Sequence, residues 1–413
     1  MSSKISDPSL AEKGELSYNW AYKHMPTLSK IISREEPKKP LSGRKISVCL
    51  HVTKETSVLI MGLINLGAEV NLAGANPLST QDDIAAFLDS KGVNVFAWRG
   101  QTTNEYNECI NDIIANPEII MDDGSDAHVA FHLKNNDFPH VLGGTEETTT
   151  GVIRIKALEK HGNLKYPVIA VNNAYTKHLF DNRYGTGQST MDGILRATSL
   201  LMAGKTVVVS GYGWVGRGIA LRARGLGSHV TVTEVDALRA LEAHMDGFDV
   251  KPISEAAKTG DILITATGQT RVIRGEHIEE MKNGAILVNA GHFDAEIDVK
   301  YLECNHVSNQ LVRPNTEEYA LKNGKHVYLI GEGRIANLVA AEGHPPDVMM
   351  MSFSNQLLSA IYISDNQNKL ETKVFNVPPE IDQDVSQSTL DAIGISIDEP
   401  TEEQKKYVDS WEL

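Results

Sequence analysis

Residues 205–234, KTVVVSGYGWVGRGIALRARGLGSHVTVTE, constrain the fold more than any other stretch of this chain. A β-branched run, a glycine loop, a helix-compatible segment and a second β-branched run follow one another within about 30 residues, the length of a βαβ unit. Two strands joined through a helix lie parallel, and a parallel sheet needs helices over both faces. Gly211, Gly213 and Gly216 have the GxGxxG spacing that brings backbone amides up to a dinucleotide pyrophosphate at a helix start. Glu234 ends the second strand, where an acid accepts hydrogen bonds from ribose hydroxyls and repels a 2′-phosphate. NAD is therefore expected rather than NADP, with Arg239, five residues on, softening that preference slightly. Trp214 fills a variable position of the loop; it covers the cofactor, packs between domains or fills space.

The same alternation recurs elsewhere. KISVCLHV, KETSVLIMGLINLG and AEVNLAG read as strand, helix and strand, and VNVFAWRG and EIIMDDGSDAHVAFHL continue the pattern. GNLKYPVIAVNN reads as a further strand. The first 180 or so residues are thus expected to form an α/β domain of their own. AYTKHLFDNRYGTGQSTMDGILRATSLLMAG reads as helix in two pieces, broken near Gly185–Gly187, where the chain crosses to a second domain. HVYLIGEGRIANLVAAEGHPPDVMMMSFSNQ gives a last strand and a long helical stretch that returns the chain to the first domain. Helical pieces then run to Trp411-Glu412-Leu413. The expected architecture is α/β: two Rossmann-like domains with parallel doubly wound sheets, the substrate domain discontinuous (1–185 and 343–413), and residues 186–342 between them.

The net charge of −15 argues against nucleic acid or an anionic membrane as the main partner. Cys49, Cys109 and Cys304 form no CxxC or metal-like cluster, which favours a reducing compartment. The N-terminal residues lack an apolar signal region and no run of 18 apolar residues occurs, so the cytoplasm is the expected location.

The chemistry outside the loop is ambiguous piece by piece. Lys177 and Asp181 stand at i, i+4 on one helix face beside Asn182, which alone reads as a surface ion pair. His51, Thr53 and Glu55 follow a strand's C-terminal end, the edge where α/β sheets bind ligands. Asp122, Asp123 and Asp126 follow another strand, and Glu146 and Glu147 precede Thr148, Thr149 and Thr150; each group also reads as a capped loop. No metal is expected, because no His or Cys spacing accompanies the acids.

Taken in order, HVTKET, MDDGSD, EETTTGV, YTKHLFDNRYGTGQS, GYGWVGRG, NAGHFDAEID and EGRIANL with GHP closely resemble the S-adenosylhomocysteine hydrolase family, from about His51 to the last residues. That family cleaves S-adenosylhomocysteine reversibly to adenosine and homocysteine, holding one NAD tightly per subunit. The resemblance implies oxidation of the 3′-hydroxyl, loss of the acidified C4′ proton, elimination of homocysteine, addition of water and return of the hydride.

By the resemblance, Lys177 and Asp181 handle the 3′-hydroxyl. A lysine acts as a base there only if burial or a nearby positive charge lowers its pKa. Asp123 is the C4′ acid–base group, and His51 assists departure of homocysteine and entry of water. Glu147 and Asn172 orient ribose and lysine. Thr148, Thr149 and Thr150 reach the cofactor, Asn182 contacts both cofactor and ribose, and His292 and Asn337 lie near the nicotinamide. Val215, Asn289, Gly291 and His344 also belong to the cofactor set. Thr53, Glu55 and His344 form the adenine pocket, where the Glu55 carboxylate suits a 6-amino group and a 6-oxo purine would want a donor. An inosine-using enzyme of the same mechanism is the alternative, ahead of a two-domain NAD dehydrogenase, whose Arg–Glu–His pattern is absent.

Many family members carry Asp at position 214 and Asn at 239; Trp214 and Arg217 resemble the shorter archaeal and thermophilic-bacterial branch. KKYVDSWEL does not match the Lys- and Tyr-bearing tail with which longer members reach a neighbour's NAD site, although the resemblance implies a homotetramer. Tyr184–Ser189 and Gly343–Pro346 are the expected hinge.

Overall fold

A computed structural model describes residues 3–134, 141–367 and 369–411, so the last two residues of the sequence lie outside it. Fifteen strands form two sheets. The first contains β1 (Lys45–Cys49), β2 (Glu69–Ala73), β3 (Asn94–Phe96), β4 (Ile119–Asp122), β5 (Gly143–Glu146) and β6 (Val168–Ala170). The second contains β7 (Thr206–Ser210), β8 (His229–Thr233), β9 (Asp249–Val250), β10 (Ile262–Thr265), β11 (Ala285–Asn289), β12 (His306–Arg313), β13 (Thr316–Leu321) and β14 (His326–Ile330). The last strand, β15 (Val374–Asn376), returns to the first sheet and pairs in parallel with β6.

The first sheet runs β15-β6-β5-β4-β1-β2-β3 and the second β12-β13-β14-β11-β10-β7-β8-β9. Each contains six strands in the doubly wound order, reversing between β1 and β4 in one and between β7 and β10 in the other. Ligands bind at such reversals, beyond the C-terminal strand ends. Strands β1, β4, β10 and β11 are buried almost throughout, as parallel strands covered on both faces must be.

The structure corrects the expectation in three places. The second sheet is not wholly parallel: β12, β13 and β14 form an antiparallel ribbon at its edge. The closing segment is not wholly helical, because β15 lies within it. The helix expected to break at Gly185–Gly187 instead continues. A π-helical stretch, His178–Gly185, runs directly into the α-helix Thr186–Thr198. The glycines there serve contact, since a β-carbon on Gly187 would lie 2.6 Å from the carbonyl carbon of Gly218 on the helix after the glycine loop.

Candidate active site

The two strand-order reversals open onto one cavity of about 780 Å³. It is lined from the first sheet's side by His51, Thr53, Glu55, Asp123, Glu147 and Thr148–Thr150, and from the crossing helix by Lys177, Asp181 and Asn182. The second sheet's side contributes Gly211, Gly213, Trp214, Val215, Glu234, Arg239, Gly291, His292 and Asn337, with His344 from the returning segment. Of the residues assigned to the site by the resemblance and the glycine loop, Asn172, Gly216 and Asn289 stand behind this wall. Gly216 packs on Gly211, where a β-carbon would come within 1.9 Å of the carbonyl oxygen. The Asn289 amide donates to the carbonyls of Gly291, Phe293 and Gly333, and its oxygen accepts from the Gly291 N–H at 2.8 Å. It thereby fixes the turn that presents His292.

The glycine loop fits a dinucleotide. Gly211 adopts φ 97°, a left-handed conformation that side chains resist. The helix Trp214–Gly225 starts at Gly213 with no side-chain cap, leaving amides for an anion. A β-carbon on Gly213 would find nothing nearer than Arg239 Nη1 at 3.8 Å, so the loop is open on its cleft side. Glu234 Oε2 accepts the Tyr212 N–H at 2.6 Å and bends the carboxylate toward the loop. Thr150 Oγ1 and Asn337 Oδ1 are buried without a hydrogen-bond partner among the described residues, and both residues line the cavity. Trp214 packs against the crossing helix: its ring lies 5.5 Å from that of His178, with the Arg217 guanidinium 4.9 Å above it.

Lys177 is not a surface pair. Its Nζ is buried and donates to Asn182 Oδ1 at 2.9 Å, Asp181 Oδ1 at 3.1 Å and Asn172 Oδ1 at 3.4 Å, with Glu147 Oε1 at 3.8 Å. Burial pushes the ammonium down, but Asp181 and Glu147 push it up more strongly, so Lys177 stays protonated. Asp181 is also pushed up by burial and further down by Lys177 and His344, and it stays ionised. His344 Nδ1 lies 3.1 Å from Asp181 Oδ2, which lifts the imidazole above its ordinary value against its own burial. Burial raises Glu147 to about 7, opposed by Lys177 and by its hydrogen bond from Ser352.

Opposite stand two imidazoles about one carboxylate. His51 Nε2 is 3.6 Å and His292 Nδ1 3.7 Å from the two Asp123 oxygens. His51 Nδ1 bonds the Ser79 hydroxyl at 2.7 Å, and burial lowers its pKa to about 4, so it is neutral. His292 reaches Asp123 from the other sheet because Gly124 has no side chain; a β-carbon there would lie 2.3 Å from Nε2.

Several contributors were given no role by the sequence reasoning. Glu296 accepts from the N–H groups of Thr267 and Gly268 at 2.9 Å each and holds the loop after β10. Its signal was present in GHFDAEID, a motif whose three acids had no role assigned. Glu146 accepts from the N–H groups of Gly124 and Thr148, also at 2.9 Å, joining the loops that carry Asp123 and Glu147. Ser352 and Gln356, one turn apart on the helix Pro346–Asp365, hold Glu147, and nothing local marked them. Leu338, Met349 and Phe353 supply an apolar wall.

Two doubly wound sheets that meet at one cavity, one offering a dinucleotide cradle and the other a buried lysine–carboxylate cluster, define an NAD-dependent α/β enzyme. Residues 182–343 match the family described as S-adenosyl-L-homocysteine hydrolase, NAD binding domain, and residues 2–139 match S-adenosyl-L-homocysteine hydrolase. The chain belongs to the S-adenosyl-L-homocysteine hydrolase family. It is 59% identical over 413 residues to the adenosylhomocysteinase of Saccharolobus solfataricus, covering 100% of this chain and 99% of that one. It is 54% identical over 410 residues to the S-inosyl-L-homocysteine hydrolase of Methanocaldococcus jannaschii, covering 99% of each. The adenosylhomocysteinase of Aquifex aeolicus is 54% identical over 415 residues, again covering 99% of each. Among solved structures, a dipicolinate synthase from Bacillus halodurans aligns with a TM-score of 0.48 at 15% identity, covering 78% of this chain and 98% of its own.

Proposed function

We propose that this chain hydrolyses S-adenosyl-L-homocysteine reversibly to adenosine and L-homocysteine. The observation that carries the reading is the buried Lys177 cluster sharing one cavity with the glycine loop and the His51–Asp123–His292 group. NAD, when bound, supplies a hydride acceptor that is restored within each turnover and a positively charged ring.

Lys177 holds a proton at the 3′-oxygen and Asp181 fixes its position. The lysine is charged against two carboxylates, so it becomes a base only when a neighbouring positive charge lowers it. Asp123 moves the C4′ proton, and Glu147 and Asn172 orient the ribose and the lysine, Asn172 from behind the wall through its contact with Lys177. The C4′ proton taken by Asp123 passes to His51, 3.6 Å away, which gives it to the departing thiolate; neutral again, His51 accepts a proton from the entering water. Residues 1–185 with 343–413 bind the nucleoside and 186–342 bind NAD, a division supported by the two sheets, with the hinge at Tyr184–Ser189 and Gly343–Pro346.

The purine is adenine, supported by a buried Glu55 carboxylate on the cavity wall. The relative named for S-inosyl-L-homocysteine makes hypoxanthine the second reading. A thiol-release assay decides the first point: free thiol appears from S-adenosylhomocysteine while NADH does not accumulate. NADH equal to product would sink the hydrolase reading. Adenosine and inosine, each condensed with homocysteine, decide the second.

The chain works in the cytoplasm and as a homotetramer, the assembly being supported by exposed Leu238, Leu241 and Met245 along one helix and Val307 and Leu311 on β12. No described helix is long and apolar enough to cross a membrane. Light scattering gives the number of chains per particle.

A further inference from the structure

The purine end of the cavity depends on a side chain that does not face it. Glu55 sits in the first turn of the helix Lys54–Asn65, only 1% exposed, and its Oε1 has no hydrogen-bond partner among the described residues. Lys54 Nζ stands 3.2 Å from that oxygen as an ion pair, yet Lys54 is not part of the cavity wall.

The lysine is held from behind. Glu342 Oε2, just before the segment that returns to the first sheet, lies 3.1 Å from Nζ, and Glu342 Oε1 lies 3.2 Å from Arg196 Nη2 on the crossing helix. Gln81 ties the same group by backbone, accepting the Lys54 N–H at 3.0 Å and donating to the Glu342 carbonyl at 3.4 Å.

We propose that Lys54 is the positioning residue that fixes purine choice, by keeping Glu55 a carboxylate, and that Glu342 and Arg196 anchor that lysine to the segments joining the two sheets. The inference rests on Glu55 being the partner of the purine 6-substituent. A carboxylate only accepts hydrogen bonds, which suits a 6-amino group; a carboxylic acid also donates, which suits a 6-oxo group. Burial drives Glu55 toward the neutral form, and Lys54 is the charge that opposes it. One ammonium outside the cavity therefore selects between two nucleosides of nearly the same shape.

The test uses the full-length holoenzyme and compares kcat/KM for adenosine and inosine, each with homocysteine. Lys54→Met is expected to lower the adenosine-to-inosine ratio by about tenfold or more, chiefly through KM, as befits a lost ground-state contact. Lys54→Arg is expected to restore the ratio, and Glu342→Gln to lower it in the same direction by a smaller factor. In a Glu55→Gln background, Lys54→Met is expected to leave the ratio unmoved. An unchanged ratio in Lys54→Met, or an equal loss with both nucleosides, overturns the proposal. Should Lys54→Met fail to fold, Glu342→Gln, at a half-exposed site, decides: an unchanged ratio there overturns the proposal too. A native enzyme that prefers inosine would instead overturn the adenine reading.

Discussion

At Lys177 the local sequence understates the chemistry. An i, i+4 lysine and aspartate usually form an exposed pair of little worth, and YTKHLFDN by itself gives no other sign. What buries the pair is the helix Pro346–Asp365, which arrives more than 160 residues later and brings Ser352 and Gln356 onto Glu147. Lys177→Ala is expected to cut reduction of bound NAD by adenosine by roughly 10²–10⁴-fold, read as NADH absorbance in a single turnover; near-normal reduction would make the lysine structural. Glu146 was legible only as a neighbour of Glu147, because its task is to accept two backbone N–H groups and bond the Ser125 hydroxyl at 2.6 Å. Burial holds its carboxyl well above the usual range, opposed by the hydrogen bonds from Gly124 and Ser125. Glu146→Gln keeps an acceptor and is expected to retain most activity. Glu146→Leu strands two buried donors at about 1–3 kcal/mol each, and is expected to lower both Tm and kcat. Equal behaviour of the two variants would count against this role.

At the scale of elements, strands covered on both faces were easy to read and those with open faces were not. β12, HVSNQLVR, is exposed along nearly its whole length, so it has neither a buried run nor an alternating face. β15 is three residues long and exists because β6 offers a free edge. The π-helical turn carrying Asp181 and Asn182 left no mark in the sequence, and the glycines beside it suggested a break. Close approach is what they serve: a β-carbon on Gly187 would fall 2.6 Å from the Gly218 carbonyl carbon, and one on Gly218, across the contact, 1.8 Å from the Arg183 carbonyl oxygen. Gly218→Ala is therefore expected to destabilise the protein by about 1–3 kcal/mol through overpacking and to weaken NAD retention, measured by thermal denaturation and by cofactor loss on gel filtration. An unaltered Tm would show that the two helices separate freely.

Over the whole molecule, buried histidines set the response to acid. Burial lowers His128 to about 3 from an ordinary 6.5, and its ring is fixed by the Tyr166 hydroxyl at 2.9 Å and the Thr145 carbonyl at 3.1 Å. The unfolded chain takes up a proton that the folded chain refuses. Stability from this group is thus complete above about pH 6.5 and is lost as pH falls, by about 2 kcal/mol at about pH 5. Asp122 and Glu147, both raised to about 7 by burial, act in the opposite sense, losing stability as pH rises through the range from their ordinary values to about 7. His128→Gln removes only the histidine term. The Tm of the variant relative to native is expected to be more favourable at about pH 5 than at about pH 7.5, and a constant offset would refute that. The first sheet also has a consequence for how the chain is made. Its hydrophobic core includes Met349, Phe353, Leu357 and Val385 from the returning segment, and its edge awaits β15. During synthesis the ribosome releases every strand of the second sheet before the first can close. The part begun first is completed last, and until then its apolar face is open to any chaperone or neighbouring nascent chain.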